Sequence, residues 1–341
     1  MVSRFLRFLF SITLAASLMA WGQDSTPQNT SPSESTLTGK TQSESKVPSG
    51  VILVKGAWSS ASDSLTPTPE GGSVTNAAYD NQYFGMNYPL PPNWSERYKG
   101  PPPSDSGLYV LAQLSPTEAF GGKARGSILI TAQDMFFSPA HAATALEYIR
   151  SNSHLQTEYK VEVAPKQTKI AGRSFAMFEY WSPIAELHWY DLATEIRCHI
   201  VEFVLTSQDQ KLLQTLIQSI SNAQLPAEDK SAAGAAGAES PVCVKDYASD
   251  QNVIARVDPV FTQRRFNPVP VRIIIDKQGK VKHIHFLSAF PDQEIAISDA
   301  LKQWKFKPYL QNGNAVEVET GILFGRTQNP TTSAAKNTSS D

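Results

Sequence analysis

The stretch VPVRIIIDKQGKVKHIHFLS, residues 269–288, decides the fold of the C-terminal part of the chain. It begins with the apolar run Val269–Asp276, turns at Lys277-Gln278-Gly279 and returns in the alternating run Lys280–Ser288. Two β-favouring runs joined by a short turn that contains glycine are typical of an antiparallel hairpin. The stretch therefore predicts a pair of antiparallel strands.

The residues that follow predict a helix and a third strand. Apolar side chains recur at the spacing of one helix face: Ile297, Ala300, Leu301 and Trp304. Asp292 can cap the start of this helix, and Phe306 and Pro308 end it. The run Ala315–Phe324 then alternates between two faces, as a strand does. The predicted order is strand, strand, helix, strand.

This order makes the third strand an edge. In a purely antiparallel sheet, Ala315–Phe324 must pair beside the first strand, which leaves its other side unpaired. An unpaired edge can capture an extended peptide by strand addition. The candidate peptide-binding residues are Val316, Glu317, Val318, Glu319, Thr320, Ile322 and Phe324. Two other uses stay open: pairing with a second copy of the chain, and cover by the preceding linker.

Residues from about 253 to 326 resemble the TonB C-terminal domain family. The resemblance is carried by IDKQGKV at 275–281, ALKQWKFKPY at 300–309, Asn312-Gly313, and Val316 with Val318. The family's usual Tyr-Pro before the first strand is replaced here by Phe261-Thr262. The resemblance implies a ββαβ domain that binds the N-terminal box peptide of outer-membrane transporters.

The energy transducers of that family need more than this domain. The resemblance implies a retained membrane helix that contains a His, followed by a long Pro-rich rod. Here the N-terminal apolar run contains no His, and a polar segment and a globular segment stand in place of the rod. We therefore expect a module that shares the fold, with an anchored energy transducer for transmembrane transport as an alternative.

Residues 79–225 predict a separate α+β domain. Short apolar or alternating runs predict a mostly antiparallel sheet, with one helix after Ser138-Pro139 and a second one capped by Ser207. The layout, with NQYFGMNYP at 81–89 and Pro92-Asn93-Trp94, resembles the PsbP-like family. That resemblance implies an α/β/α sandwich whose relatives are mostly binding or assembly factors, and it names no reaction.

Length and composition bound the organisation of the whole chain. Its 341 residues fit two domains of roughly 100–200 residues each, with tails. The 30 basic and 32 acidic residues give a net charge of −2, which does not suit a nucleic-acid binder. The predicted segments are a signal peptide (1–22), a mostly disordered polar segment (23–78), the PsbP-like domain (79–225), a linker (226–241), the TonB-like domain (242–326) and a disordered tail (327–341).

The N-terminus sets the expected compartment. Arg4 and Arg7 precede 15 uncharged residues, Phe8–Gly22, whereas a membrane-spanning helix needs about 20. A basic start, a short apolar core and small residues after it predict a secretory signal peptide that is cleaved before Gln23. We expect a periplasmic protein, and retention of this segment as an uncleaved anchor is the alternative.

The two cysteines have two interpretations. In an oxidising compartment Cys198 and Cys243 can form a disulfide. Alternatively, Cys198 is a small buried hydrophobe that alternates with Ile196 and Ile200 on one strand face. The sequence leaves both interpretations open.

The sequence contains none of the common catalytic or cofactor-binding motifs. GxSxG, HExxH, GxxxxGK(S/T), GxGxxG and CxxC are all missing. His283 and His285 share one strand face, as do Glu317 and Glu319 on another strand, but we expect a solvated sheet face there rather than a metal site. We expect no enzymatic activity, no cofactor and no metal.

These observations combine into one hypothesis with an alternative from another class. The hypothesis is a non-catalytic periplasmic protein-binding module that captures an extended peptide of an envelope or outer-membrane transport partner. The alternative is a structural or oligomerising envelope component, such as a homodimer, that pairs through the same edge strand. Nucleic acid is not an expected partner, and a membrane is one only if the N-terminal segment is uncleaved.

Overall fold

The computed structural model describes residues 52–53, 59–62, 67–98, 100–101, 103–117, 126–140, 142–228, 241–263 and 267–325. The predicted signal peptide, the polar residues up to 50, linker residues 229–240 and the predicted tail lie outside the described residues. The predictions for those parts stay predictions.

The first described strands are short. They are β1 (Ile52–Leu53), β2 (Ser59–Ser62), β3 (Ser73–Thr75), β4 (Ala78–Asn81) and β5 (Met86–Pro89). A 3-10 turn at Pro69–Gly71 precedes β3, and β3, β4 and β5 form an antiparallel meander. Of the segment 23–78 that is expected to be mostly disordered, residues 52–53, 59–62 and 67–78 are described, and they contain β1, β2 and β3. The expectation for the rest of the segment stays a prediction.

A seven-stranded antiparallel sheet follows, with the spatial order β6-β7-β8-β12-β11-β10-β9. Its strands are β6 (Trp94–Tyr98), β7 (Leu108–Pro116), β8 (Gly126–Asp134), β9 (Lys160–Ile170), β10 (Arg173–Ser182), β11 (Leu187–Ile196) and β12 (His199–Ser207). Consecutive strands β9 to β12 are joined by short turns, and β8 pairs with β12 across the sheet centre.

Two helices pack on opposite faces of this sheet. Helix α1 (Ala145–Asn152) packs in one core with Ile200, and helix α2 (Gln210–Ser219) packs in another core with Val201. Neighbouring strand residues point to opposite faces, so the sheet lies between the two helices. The helix expected directly after Ser138 begins later, because the Ser138 N–H donates to Asp134 O in the turn that ends β8. The Thr144 side chain caps α1 instead.

The C-terminal part forms a second sheet, with the spatial order β1-β2-β16-β15-β20-β13. Its elements and their neighbours are β13 (Val242–Cys243), β14 (Val253–Ala255), β15 (Val269–Ile275), β16 (Val281–Ala289), α3 (Pro291–Leu301), β17 (Lys305–Phe306), β18 (Tyr309–Gln311), β19 (Asn314–Val316) and β20 (Val318–Phe324). The predicted hairpin is β15–β16, and the third strand β20 pairs antiparallel beside the first strand β15, as the sequence predicts.

Two local predictions for this part need correction. The strand expected over Ala315–Phe324 is interrupted at Glu317, because β19 folds back on β18 as a separate hairpin. Helix α3 begins at Pro291 rather than being capped by Asp292, since proline fits the first helical position. The Gln293 side chain accepts the Phe290 N–H at this end, with a distance of 3.1 Å.

The second sheet has one apolar face and one polar face. Ile273 of β15 and Val318 of β20 belong to the core that also contains Ile297 of α3. The alternate residues, Arg272 and Glu319, point to the opposite face, towards residues that precede the linker. The described residues from Ile52 to Gly325 belong to one compact unit. The mostly antiparallel α+β class is therefore confirmed, whereas the division into two domains stays a prediction.

The helices of the described residues are short. Among the residues that the structure describes, none forms a helix with the length and apolar character needed to cross a bilayer.

Candidate functional site

The outer edge of β20, opposite its partner β15, is the candidate site. Part of this edge is already paired, because β13 adds to it in parallel, with Val242 beside Val318 and Cys243 beside Glu319. The Val242 N–H donates to Glu317 O at 2.8 Å, and the Val244 N–H donates to Glu319 O at 3.1 Å. The predicted edge is thus partly covered by the chain that directly follows the linker.

The remaining part of the edge is open. Main-chain groups alternate in direction along a strand, so Gly321 and Leu323 point outward like Glu317 and Glu319. Among the described residues, no strand pairs with Gly321–Leu323 on this side, and these residues are only partly buried. We call Gly321–Leu323 the open segment of the edge.

A disulfide holds β13 against the molecule. The structure joins Cys198 to Cys243, the pairing that the sequence left undecided. Cys243 is exposed, whereas Cys198 is 5% exposed and lies in the turn between β11 and β12. That turn places Arg197 and Cys198 in left-handed conformations, with φ of 48° and 62°. The Arg197 side chain fixes the turn by donating to Tyr83 O at 3.0 Å and lying over the Tyr83 ring.

A buried charge cluster lies behind the edge strand. The Arg272 guanidinium forms ion pairs with Glu319, at 2.7 Å, and with Asp134. It also donates to the Tyr83 hydroxyl at 3.1 Å, and that hydroxyl donates to Glu319 Oε1 at 3.2 Å. Asp134 in turn accepts the Phe136 N–H at 2.7 Å. Buried charges of this kind are tolerated only when they are paired and hydrogen-bonded, and here they are.

Burial and neighbouring charges determine the protonation states of Arg272 and His199 in this cluster. Burial alone would lower the pKa of Arg272, but the carboxylates of Asp134 and Glu319 raise it above its usual range, so the guanidinium stays charged. Burial, and then the charge of Arg272, lower the pKa of His199 well below its usual value. Neutral His199 therefore donates from Nδ1 to Arg197 O at 2.8 Å, and its Nε2 is left to accept from Arg272 at 3.4 Å.

Glu319 connects this cluster to the edge. Its side chain pairs with Arg272, while its main-chain carbonyl accepts the bond from Val244. Cys198 Sγ lies 3.7 Å from Glu319 Oε2, so the disulfide, the cluster and the edge meet at one residue. This cluster is not predicted by the sequence pattern. An arginine in the middle of the apolar strand VPVRIII was the available signal, since an unpaired charge does not occupy such a position.

The structure distributes the predicted peptide-binding residues unevenly. Val318, Thr320 and Phe324 are buried on the core-facing side of β20, and Ile322 packs against the same core. Val316 lies outside β20, opposite Tyr309 in the separate hairpin. These side chains do not face outward along the edge, so only the main chain of β20 is available to a partner there.

The polar residues considered as metal ligands do not converge. Glu317 forms an ion pair with Lys282 at 2.8 Å. Glu319 forms a buried ion pair with Arg272, so the expectation of a solvated face is wrong for Glu319. His285 Nε2 lies 3.6 Å from Glu70 Oε2. Within the part of the chain that the structure describes, no group of three or more His, Cys, Asp or Glu side chains is placed to hold a metal.

Comparison with known proteins finds a weak similarity to a solved structure. No protein-family model matches the chain, and no curated protein matches it. The structure is similar to the solution structure of cyanobacterial PsbP (CyanoP) from Synechocystis sp. PCC 6803, with a TM-score of 0.31 and 16% identity. The match covers 46% of this chain and 96% of that one. No family match accompanies either the TonB-like or the PsbP-like resemblance.

Proposed function

We propose that this protein is a non-catalytic protein-binding module that captures an extended peptide by β-strand addition at the outer edge of β20. One observation carries the proposal: the chain's own strand β13 already adds to this edge in parallel, through main-chain hydrogen bonds. An edge that accepts one strand offers the same donors and acceptors to another. The open segment Gly321–Leu323 is where a partner would begin to pair.

The partner class rests on the resemblance of the C-terminal part to TonB domains. By that resemblance, the partner is an extended peptide of an outer-membrane transporter or another envelope protein. The periplasmic location rests on the predicted signal peptide. The proposal assigns no reaction to the protein, because its expected role is to hold a partner's main chain.

The expected affinity follows from the number of available bonds. Two residues of the open segment, Gly321 and Leu323, present their N–H and C=O groups outward. A main-chain hydrogen bond contributes only about 0.5–1.5 kcal/mol net, so the open segment by itself supports weak binding. Side chains of the partner at alternate positions then adjust which peptides bind.

An NMR titration of the full-length mature chain tests the proposal. A transporter box peptide added to the 15N-labelled protein should shift the amides of Gly321 and Leu323, while those of His283 and His285 stay unchanged. Shifts that scatter over α3, or no shifts at millimolar peptide, contradict peptide capture. Light scattering on the same sample tests the oligomerising alternative, because a dimer that survives dilution indicates that the edge pairs with a second copy.

A further inference from the structure

The strand that covers the edge is short. β13 contains two residues, and the N–H groups of Val242 and of Val244, which follows the strand, donate to the carbonyls of Glu317 and Glu319. On its C-terminal side, Tyr247 is buried and its N–H donates to Thr320 Oγ1 at 3.3 Å. Between these contacts, the covalent bond from Cys243 to Cys198 is the strongest restraint on β13.

The two ends of this disulfide differ in burial. Cys198 is buried, and its turn is tied to the cluster through Arg197. Cys243 is exposed and belongs to the two-residue strand. Cys243 is therefore the end of the bond at which we expect a thiol to attack, and breaking the bond frees β13 rather than the turn.

We propose that the Cys198–Cys243 disulfide is a redox latch on the peptide-binding edge. In the oxidised protein β13 occupies the edge at Glu317 and Glu319. In the reduced protein an extended peptide displaces β13 and pairs in parallel from Glu317 to Leu323. This inference rests on the proposed function, and it adds the orientation of the partner and the control of its access.

The gain from opening the latch follows from the edge geometry. The oxidised edge presents two outward residues, Gly321 and Leu323, and the reduced edge adds Glu317 and Glu319. A peptide in the reduced state therefore has about twice as many main-chain bonds to form. The displaced β13 stays tethered through Tyr247 and competes through a few main-chain bonds and the packing of Val244 against the core.

The opening step requires a dithiol reductant and balances as a thiol–disulfide exchange. One thiolate of the reductant attacks Cys243 Sγ, which forms a mixed disulfide and expels Cys198 as a thiolate that takes up a proton. The second thiol of the reductant then attacks the reductant's first sulfur, which is bonded to Cys243 Sγ in the mixed disulfide. This closes the reductant's own disulfide and releases Cys243 as a thiol. Two electrons and two protons pass to the protein, and the reductant leaves as a disulfide.

The test uses a peptide copied from the chain itself. The probe is SPVSVKD, which corresponds to residues 240–246 with Ser in place of Cys243, because this sequence already pairs with the edge. It is titrated into the oxidised chain, the dithiothreitol-reduced chain and the C198S/C243S variant. We expect roughly tenfold tighter binding to the last two, with amide shifts from Glu317 to Leu323. Hydrogen exchange of the Val244 amide should also accelerate on reduction.

Each other outcome separates the two proposals. Equal affinity for the oxidised and reduced chains, with shifts at the edge, overturns the latch and leaves the proposed function standing. Absence of binding to all three samples contradicts the proposed function. An unchanged Val244 exchange rate, or unfolding of both the reduced chain and the variant, overturns the latch, since the switch requires a folded reduced state.

Discussion

Arg272 and Glu319 lie on neighbouring strands and form an ion pair at 2.7 Å in the interior of the protein. Arg272 is 2% exposed and Glu319 is 3% exposed. The pair also reaches Asp134 and Tyr83, which precede the linker. The cluster therefore holds the strand that bears the candidate edge against the rest of the molecule.

The first prediction concerns this cluster. Arg272→Met should lower the free energy of unfolding by about 3–5 kcal/mol, because it leaves two buried carboxylates without a cation. Urea unfolding of the full chain measures the effect. Lys282→Met is the matched control, since its exposed pair with Glu317 contributes only about 0–1 kcal/mol. Equal losses in the two variants would show that the buried cluster is not essential to stability.

The second prediction concerns Trp304. This side chain is 3% exposed, and its Nε1 donates to Val257 O at 2.7 Å. Trp304→Ala should destabilise the protein by about 3–5 kcal/mol, because it opens a cavity between α3 and the sheet. Leu310→Ala, at a side chain that is 60% exposed, should change the thermal midpoint little. A small shift for Trp304→Ala would indicate that the core does not depend on the indole.

The third prediction concerns pH and two buried carboxyl groups. Burial raises the pKa of Glu202 to about 7, and burial together with Glu202 raises the pKa of Asp191 well above its usual value. A raised carboxyl pKa means that the folded protein binds more protons than the unfolded chain. Stability is therefore complete below the unfolded pKa and decreases as pH rises towards about 7.

Glu202→Gln tests this pH dependence because it removes the titrating carboxyl group of Glu202 and keeps the shape of the side chain. The variant should raise the thermal midpoint at about pH 8 and have little effect at about pH 4. Glu158→Gln, at an exposed residue, is the control and should leave the dependence of the thermal midpoint on pH unchanged. If the thermal midpoint of the wild type does not decrease from about pH 4 to about pH 8, the result would be inconsistent with a raised pKa of Glu202.

The fourth prediction concerns the open segment. Leu323→Pro removes an outward N–H and should weaken peptide binding with little change in fold, since proline is tolerated mainly at sheet edges. Leu323→Ala keeps the N–H and should bind like the wild type. Circular dichroism checks the fold, and the NMR titration measures binding. Equal binding by both variants would mean that the Leu323 amide does not contact the peptide.

Sequence pattern predicted the parts of this fold that depend on local order. The β15–β16 hairpin follows from its turn and flanking runs, and the place of β20 beside β15 follows from the order of elements. The cluster was not predictable in this way, because Arg272 and Asp134 are 138 residues apart and no periodicity connects them. The two-residue strand β13 has no pattern at all, so the cover on the candidate edge was visible only in the structure.

The strand order of the second sheet has a consequence for how the chain folds. Its members come from residues as early as Ile52 and as late as Phe324, with β2 pairing to β16 across most of the chain. Such pairings close very long loops, which slows folding. The sheet cannot be completed before nearly the whole polypeptide is available for pairing. We therefore expect the chain to expose unpaired strands until its C-terminal part is made, and to be prone to aggregation during that interval.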